Sequence, residues 1–153
     1  MSYKKIMIAV DGSSCSLLAL KEAAKLAENQ HAQLQLVHVV EESFPFHNGI
    51  GFDYSSLIAF YREEGQKLLE KAKETIKKSS LPIQSKLVEL NPFQGRIAEV
   101  IVEEAKLLHA DLLVIGTHGR RGFSHLFLGS VAENIIRIAT IPVLLIREES
   151  NKH

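Results

Sequence analysis

Several features that define other classes of protein are missing from this chain of 153 residues. Its single cysteine, Cys15, rules out an intrachain disulfide, and no CxxC or Cys/His zinc spacing exists. No stretch approaches the ~18 consecutive apolar residues of a membrane span. The apolar run near the start ends at Asp11, too early for the core of a secretory signal. We therefore expect a cytoplasmic protein.

An excess of charge of either sign is also missing. Lys and Arg number 18, as do Asp and Glu, so the formal net charge is zero. Nucleic-acid coats and membrane-surface binders usually carry a basic excess, so neither kind of partner is expected. A small anionic ligand needs only a local positive patch. Hydrophobic residues at 46% and charged residues at 24% are typical of a globular chain, and the length favours one domain.

The apolar pattern alternates between the strand period and the helix period along the whole chain. Strands are predicted at Lys4–Val10, Gln33–Val40, Ile83–Leu90, Asp111–Ile115 and Ile141–Ile146. Helices are predicted at Ser13–Asn29, Ser55–Ser79, Gln94–Leu108 and Ser130–Ala139. This order predicts an α/β fold in residues 1–148, with a polar tail over 149–153. The expected architecture is a Rossmann-like, open, twisted sheet of five parallel strands with helices on both faces, in which ligands bind beyond the carboxyl ends of the strands.

The residues best suited to binding a ligand follow the fourth predicted strand. Between Leu112 and Ala132 there is no Asp or Glu, whereas four basic or titratable side chains fall inside: His118, Arg120, Arg121 and His125. Glycines in the same stretch let backbone amides approach an oxyanion. The predicted helix that follows places the positive end of its dipole next to this stretch. The segment therefore predicts a phosphate cradle. The structural alternative is that single glycines only form turns and that Ser130 and Glu133 form a capping box.

The usual nucleotide motifs are absent, because there is no GxxxxGK[ST] and no GxGxxG after the first strand. The spacing that is present is Gly-x2-Gly-x9-Gly-Ser, over Gly116, Gly119, Gly129 and Ser130. With this motif, the opening KKIMIAVDGS, the LVHV of the second strand and the closing IPVLLIR, the chain resembles the universal stress protein family. The resemblance covers nearly the whole sequence and is least distinctive over residues 41–60.

This resemblance implies homodimers and, for members that carry the glycine motif, bound ATP. Matched by position, the residues expected at the base and ribose are Ala9, Val10, Asp11, Val39, Ile115 and Gly116. The residues expected at the phosphates are Gly119, Arg120, Gly129, Ser130 and Val131. His118, Arg121 and Gly122 lie in the same loop and complete the predicted set.

Three further residues have two interpretations each. Asp11 follows the first strand, where its carboxylate could bond a ribose hydroxyl or help hold Mg²⁺, or could form an Asx turn before a helix capped by Ser13. Cys15 lies in the first turn of that helix and is expected to be a small buried residue rather than a reactive thiol. His38 alternates onto an apolar face of the second strand and is expected to be a hydrogen-bonded core histidine.

The function expected from these features is a nucleotide-dependent sensor or switch of the stress response. It would bind ATP with little or no turnover, dimerise through residues 141–147 and act on an unidentified protein partner. The alternative is a slow ATP hydrolase or adenylyl-transferring enzyme on the same fold, but no general base is evident beside the loop, so no catalytic residue is assigned. A phospho-receiver would need an acceptor Asp where Glu89, Leu90 and Asn91 stand, and a flavodoxin-like carrier is suggested only by the hydroxyl-rich loop over 11–16.

Overall fold

The computed structural model describes residues 2–41, 53–77, 80–90, 95–118 and 128–149. In this part of the chain strands and helices alternate. The strands are β1 (Lys5–Ala9), β2 (Gln33–Glu41), β3 (Ile83–Leu90), β4 (Leu112–Gly116) and β5 (Val143–Ile146). The helices are α1 (Ser14–Gln30), α2 (Tyr54–Thr75), α3 (Ile97–Leu107) and α4 (Ser130–Ile138).

The five strands form one parallel sheet in the order β3-β2-β1-β4-β5. Parallel neighbours must be joined by crossovers, and each crossover here carries a helix. The predicted α/β sheet covered on both faces is confirmed. The last strand, β5, lies at an edge of the sheet, since it pairs only with β4 among the described strands.

Alternating side chains of the strands supply two separate cores. Ile6 and Ile8 of β1 are buried on the face covered by α1 and α2, whereas Met7 is buried on the face covered by α3 and α4. Each large side chain that is fully buried in this way contributes about 1.5–3 kcal/mol relative to an exposed one. The period of two along the central strand therefore explains why both faces need a helical layer.

Most observed boundaries differ from the predicted ones by a few residues, and two of them differ next to a proline or a glycine. β5 begins at Val143 rather than Ile141, because Pro142 has no amide hydrogen and contributes only its carbonyl, which accepts the Leu113 amide at 3.0 Å. α3 begins at Ile97, after Gly95 with its φ of +101°. No helix in the described part of the chain is both long and apolar enough to cross a membrane.

The amino edge of the sheet, where the strands begin, contains two matching helix ends. α1 is followed directly by His31 and α3 by Leu108 and then His109, and both histidines have a φ of +54°. In each case the next residue is a buried alanine whose amide returns to an alanine carbonyl in the helix at 2.9 Å, from Ala32 to Ala27 and from Ala110 to Ala105. This pattern of bonds satisfies carbonyl groups that a helix end would otherwise leave open.

Candidate functional site

The carboxyl ends of β1 and β4 form the point where the strand order reverses. β1 leads through α1 to β2 on one side, and β4 leads through α4 to β5 on the other. α1 packs on one face of the sheet and α4 on the opposite face. A crevice between two such strands is the usual ligand position in open parallel sheets. Asp11 and Gly116 lie at this point, as predicted.

Asp11 belongs to a turn held by hydrogen bonds among its neighbours. Its Oδ1 accepts the Ser13 amide at 2.9 Å, and its own amide donates to Ser16 Oγ at 3.0 Å. Ser13 is the N-cap of α1, since its Oγ accepts the Ser16 amide at 3.1 Å. The Asx-turn interpretation is therefore confirmed. The turn uses Oδ1, which leaves Oδ2 as an acceptor at the edge of the crevice.

Thr117 connects the end of β4 to β5 and to the start of α4. Its amide donates to the Ile146 carbonyl of β5 at 3.0 Å, and its carbonyl accepts the Gly129 amide, just before α4, at 2.8 Å. The Ile146 carbonyl also accepts the thiol of Cys15 in α1, with a sulfur-to-oxygen distance of 3.3 Å. Cys15 is buried, so the structural interpretation of this residue is confirmed. These hydrogen bonds join β4, β5, α1 and the start of α4 at the bottom of the crevice.

The two described glycines of the motif are places of close approach. A Cβ added at Gly116 would lie 2.8 Å from Cys15 Sγ, because the first turn of α1 packs directly against the end of β4. A Cβ added at Gly129 would lie 3.0 Å from the Thr117 carbonyl oxygen. Packing within the protein therefore requires a small residue at both positions, whether or not a ligand binds.

The N-terminus of α4 has no side-chain cap. Its N-cap residue is Gly129, with φ −62° and ψ 154°, and the helix itself begins at Ser130. The capping-box alternative for Ser130 is therefore wrong, because Ser130 is the first helical residue rather than the residue before it. Ser13 and Asp53, in contrast, cap α1 and α2 with side-chain oxygens. Among the described residues no group accepts the first amides of α4, and the helix dipole favours negative charge there.

An apolar surface lies at the same edge, on the face of the sheet that carries α3 and α4. Ala9 at the end of β1, Val39 in β2 and Ile115 in β4 all belong to this core. Ala9 and Val39 are half-buried and Ile115 is buried. Val10 turns to the opposite core, and Val131 in the first turn of α4 is exposed. The predicted base-contacting residues are thus brought to adjacent strand ends.

His38, which is predicted to lie in the core, bonds to a residue of the predicted site. Its Nδ1 lies 2.7 Å from the Val10 carbonyl oxygen, and the side chain is half-buried. The expectation of a hydrogen-bonded histidine is confirmed. Its link to the site was missed, and the only signal in the sequence was its place beside Val39. Thr117 was also missed, although it stands between two predicted site residues.

The remaining predicted residues divide into two groups. His118 is half-buried, and its Nδ1 lies 3.0 Å from Thr117 Oγ1. The rest of the predicted phosphate loop, Gly119, Arg120, Arg121, Gly122 and also His125, lies outside the described residues. No group of three or more potential metal ligands from His, Cys, Asp and Glu occurs in the described ranges.

The chain matches the model of a known protein family over residues 2–147, and that family is the universal stress protein family. It is 37% identical over 150 residues to universal stress protein MJ0531 of Methanocaldococcus jannaschii, covering 95% of this chain and 83% of the relative. It also resembles a solved structure of a universal stress protein family member from Burkholderia pseudomallei, with 34% identity and a TM-score of 0.75. That match covers 95% of this chain and 97% of the other.

Two further similar structures contain nucleotides. One is a universal stress protein in complex with cAMP, with 26% identity, a TM-score of 0.67 and coverage of 96% of this chain and 98% of the other. The second is the universal stress protein of Archaeoglobus fulgidus in complex with dAMP, with 26% identity and a TM-score of 0.66. That match covers 96% of this chain and 100% of the other.

Proposed function

This chain belongs to the universal stress protein family, and from that premise and the geometry of its crevice we propose that it binds an adenine nucleotide, ATP in particular, and acts as a nucleotide-dependent switch. The fold places an apolar surface and an uncapped helix end at one edge of the sheet. A nucleotide has the matching chemistry, since its base is flat and largely apolar and its phosphates are anionic. Occupancy of the site would be the signal that a partner protein reads.

The observation that carries this proposal is the N-terminus of α4. Gly129 precedes the helix, packs against the backbone of Thr117 and His118, and provides no side-chain oxygen to the first amides. Helix N-termini with open amides bind phosphate groups well, because the amides point outward and the dipole adds positive potential. Ser130 and Val131 are exposed in this first turn, so an anion can reach it.

The relatives support the adenosine part of the ligand. Cyclic AMP and dAMP share an adenine, a pentose and one phosphate, and each is bound by a similar protein of this fold. In this chain Ala9, Val39 and Ile115 would contact the base, and Asp11 Oδ2 would accept a ribose hydroxyl. The choice of ATP rests on the glycine motif, whose loop from Gly119 to Gly122 would extend the site to further phosphates.

Magnesium fits this site only as a companion of the nucleotide. Asp11 supplies a carboxylate at the crevice, and its turn already uses one of the two oxygens. Mg²⁺ is commonly held by one or two carboxylates together with substrate phosphates and water. When bound with ATP, the ion would neutralise phosphate charge. Asp11 would hold it directly or through a water molecule.

The first experiment measures nucleotide binding and its dependence on α4. Calorimetric titration should show ATP binding at micromolar affinity, about −8 kcal/mol, and more tightly than adenosine. Ser130→Asp should weaken ATP binding by at least about tenfold, because it places a negative charge at the phosphate position while favouring the helix. Ser130→Asn, which matches it in size without the charge, should weaken binding far less. Failure of ATP, ADP and AMP to bind near millimolar concentration would overturn the proposal.

The second experiment separates a switch from an enzyme. Binding the ground state without extra stabilisation of the transition state gives occupancy but little rate. Turnover of ATP with Mg²⁺ should therefore lie far below the ~10 s⁻¹ median of enzymes. Turnover above about 1 s⁻¹ that disappears in Asp11→Asn or His118→Ala would favour the hydrolase instead.

The same proposal includes a homodimer formed through residues 141–147. β5 is an edge strand, and all four of its residues are half-buried although they are apolar. Ile136 and Ile138 of the preceding helix are also exposed. Apolar edges are normally covered or paired, and a second copy would do both. Light scattering at tens of micromolar should give twice the 17.1 kDa of one chain, and a monomer would contradict this part of the proposal.

A further inference from the structure

The carbonyl of Val10 is held by an imidazole. His38 Nδ1 lies 2.7 Å from this oxygen. A carbonyl oxygen only accepts hydrogen bonds, so Nδ1 must carry the proton and donate it. Val10 directly precedes Asp11, whose turn borders the crevice. The bond therefore joins β2 to the segment that enters the site.

This bond stands where the regular ladder between β1 and β2 stops. The Val10 amide still donates to the Val37 carbonyl at 2.9 Å, as a parallel ladder requires. The next ladder bond would run from the Val39 amide to the Val10 carbonyl. It is not among the backbone bonds of the described residues. The imidazole bonds the carbonyl instead, and the pairing of β1 with β2 ends at Ala9 and Val37.

The histidine ring is also fixed from its other side. α2 packs closely on β2 and β3 at Gly65, where an added Cβ would lie 3.4 Å from His38 Cδ2 and 2.6 Å from Leu87 Cδ1. A ring held between a helix and a strand end has little rotational freedom. The ring therefore lies between α2 and the Val10 carbonyl.

We propose that His38 is a positioning residue of the nucleotide site. By donating to the Val10 carbonyl, it sets the place of the Val10–Asp11 segment and keeps β1 and β2 apart beside Val39, where the base would lie. This inference rests on the proposed function, and it adds the residue that prepares the base subsite before the ligand arrives. His38 contributes no contact to the ligand in this role.

The first test needs no ligand. Nitrogen-15 NMR of the free protein should show His38 in the tautomer protonated at Nδ1, with a ring proton that exchanges slowly with water. A His38 protonated only at Nε2 at neutral pH would overturn the inference, because the Val10 carbonyl would then have no imidazole donor.

The second test compares two substitutions in titrations with AMP and ATP. His38→Leu removes the donor and should weaken both ligands by about tenfold, the upper range for one lost hydrogen bond. His38→Asn places an amide donor near the position of Nδ1 and should restore most of the affinity. Leu87→Ala, which removes a neighbouring contact to the same point of α2, should lower stability and leave the affinity of the folded protein unchanged.

The outcomes distinguish the two proposals. If the wild-type protein binds neither nucleotide, the proposed function is wrong and the role of His38 falls with it. If the wild type binds but His38→Leu binds as tightly, or His38→Asn binds as weakly as His38→Leu, only the positioning role is overturned. If His38→Leu does not fold, His38→Gln replaces it, because its longer side chain carries the donor away from Val10 and should weaken binding equally.

Discussion

The two edges of the sheet differ in how their backbone groups are satisfied. At the amino edge, α1 and α3 end in the same way, with a histidine at positive φ and an alanine amide that returns to the helix. The start of β1 is fixed there as well, because the Asp111 carboxylate accepts the amides of Lys4 and Lys5 at 2.8 and 3.1 Å. At the carboxyl edge, α4 begins without a side-chain cap.

This difference indicates where a bound ligand would add most to the hydrogen bonding of the protein. A helix end that closes its own hydrogen bonds gains little from a bound molecule. An uncapped N-terminus beside a crevice gains hydrogen bonds and charge compensation when an anion arrives. The substitutions below test this contrast. Changes at the amino edge should alter stability alone, whereas changes at the carboxyl edge should alter stability and binding together.

The largest effect is expected at Gly116 on the carboxyl edge. Gly116→Ala places a methyl group 2.8 Å from Cys15 Sγ and should lower the free energy of unfolding by about 2 kcal/mol. Cys15→Ala removes that sulfur, so the same glycine substitution should cost about half as much in the Cys15→Ala background. Urea unfolding of the four proteins in this cycle measures the coupling. Strictly additive effects would show that the sulfur is not the obstacle.

A comparable loss is expected at Asp111 on the amino edge, but with no effect on binding. Asp111→Ala removes the acceptor of two amides and should lower the free energy of unfolding by about 2 kcal/mol. Asp111→Asn keeps one acceptor oxygen and should lose about half of that. The affinity for ATP should stay the same in both, because the crevice lies at the opposite edge. If the variants bound ATP more weakly than the wild type under conditions where all three proteins are fully folded, the contrast between the edges would be contradicted.

Much of the fold was predictable because it depends on local patterns. β3 was predicted with both ends correct, since its alternating residues follow Pro82 directly. The site was less predictable because its contacts join distant parts of the chain. Gly116 meets Cys15, and His38 meets Val10, which lies 28 positions away. The capping box at Ser130 was wrong because Gly129 is fixed by the Thr117 backbone, a contact that no local pattern reveals. The loop over Gly119–Gly122 remains a prediction from the motif.

A smaller gain in stability is expected from the two histidines of the amino edge. Left-handed backbone costs an L residue about 1 kcal/mol, and glycine escapes this cost while making the unfolded chain more flexible. His31→Gly and His109→Gly should therefore each stabilise the protein by about 0.5–1 kcal/mol. Their effects should add, because the two helix ends lie on opposite faces of the sheet. Chemical denaturation measures this effect. A loss of stability would mean that contacts of the histidine side chains stabilise the fold by more than the left-handed backbone costs.

The smallest effect is expected from an ion pair on the carboxyl side of β3, away from the crevice. Arg62 of α2 donates to both carboxylate oxygens of Glu89, and this hydrogen bonding, with the opposite charge, holds the pKa of Glu89 below its ordinary value although burial opposes it. A lowered carboxyl pKa stabilises the fold above the ordinary value, and the gain is lost as the pH falls through the lowered one. Arg62→Ala should therefore cost about 0.5 kcal/mol at pH 7, less in high salt, and nothing at a pH where Glu89 is protonated. Arg137→Ala, which breaks the more exposed pair with Glu133, is the matched control and should cost less. An equal cost of Arg62→Ala at neutral and acid pH would show that its packing on β3, rather than its charge, stabilises α2.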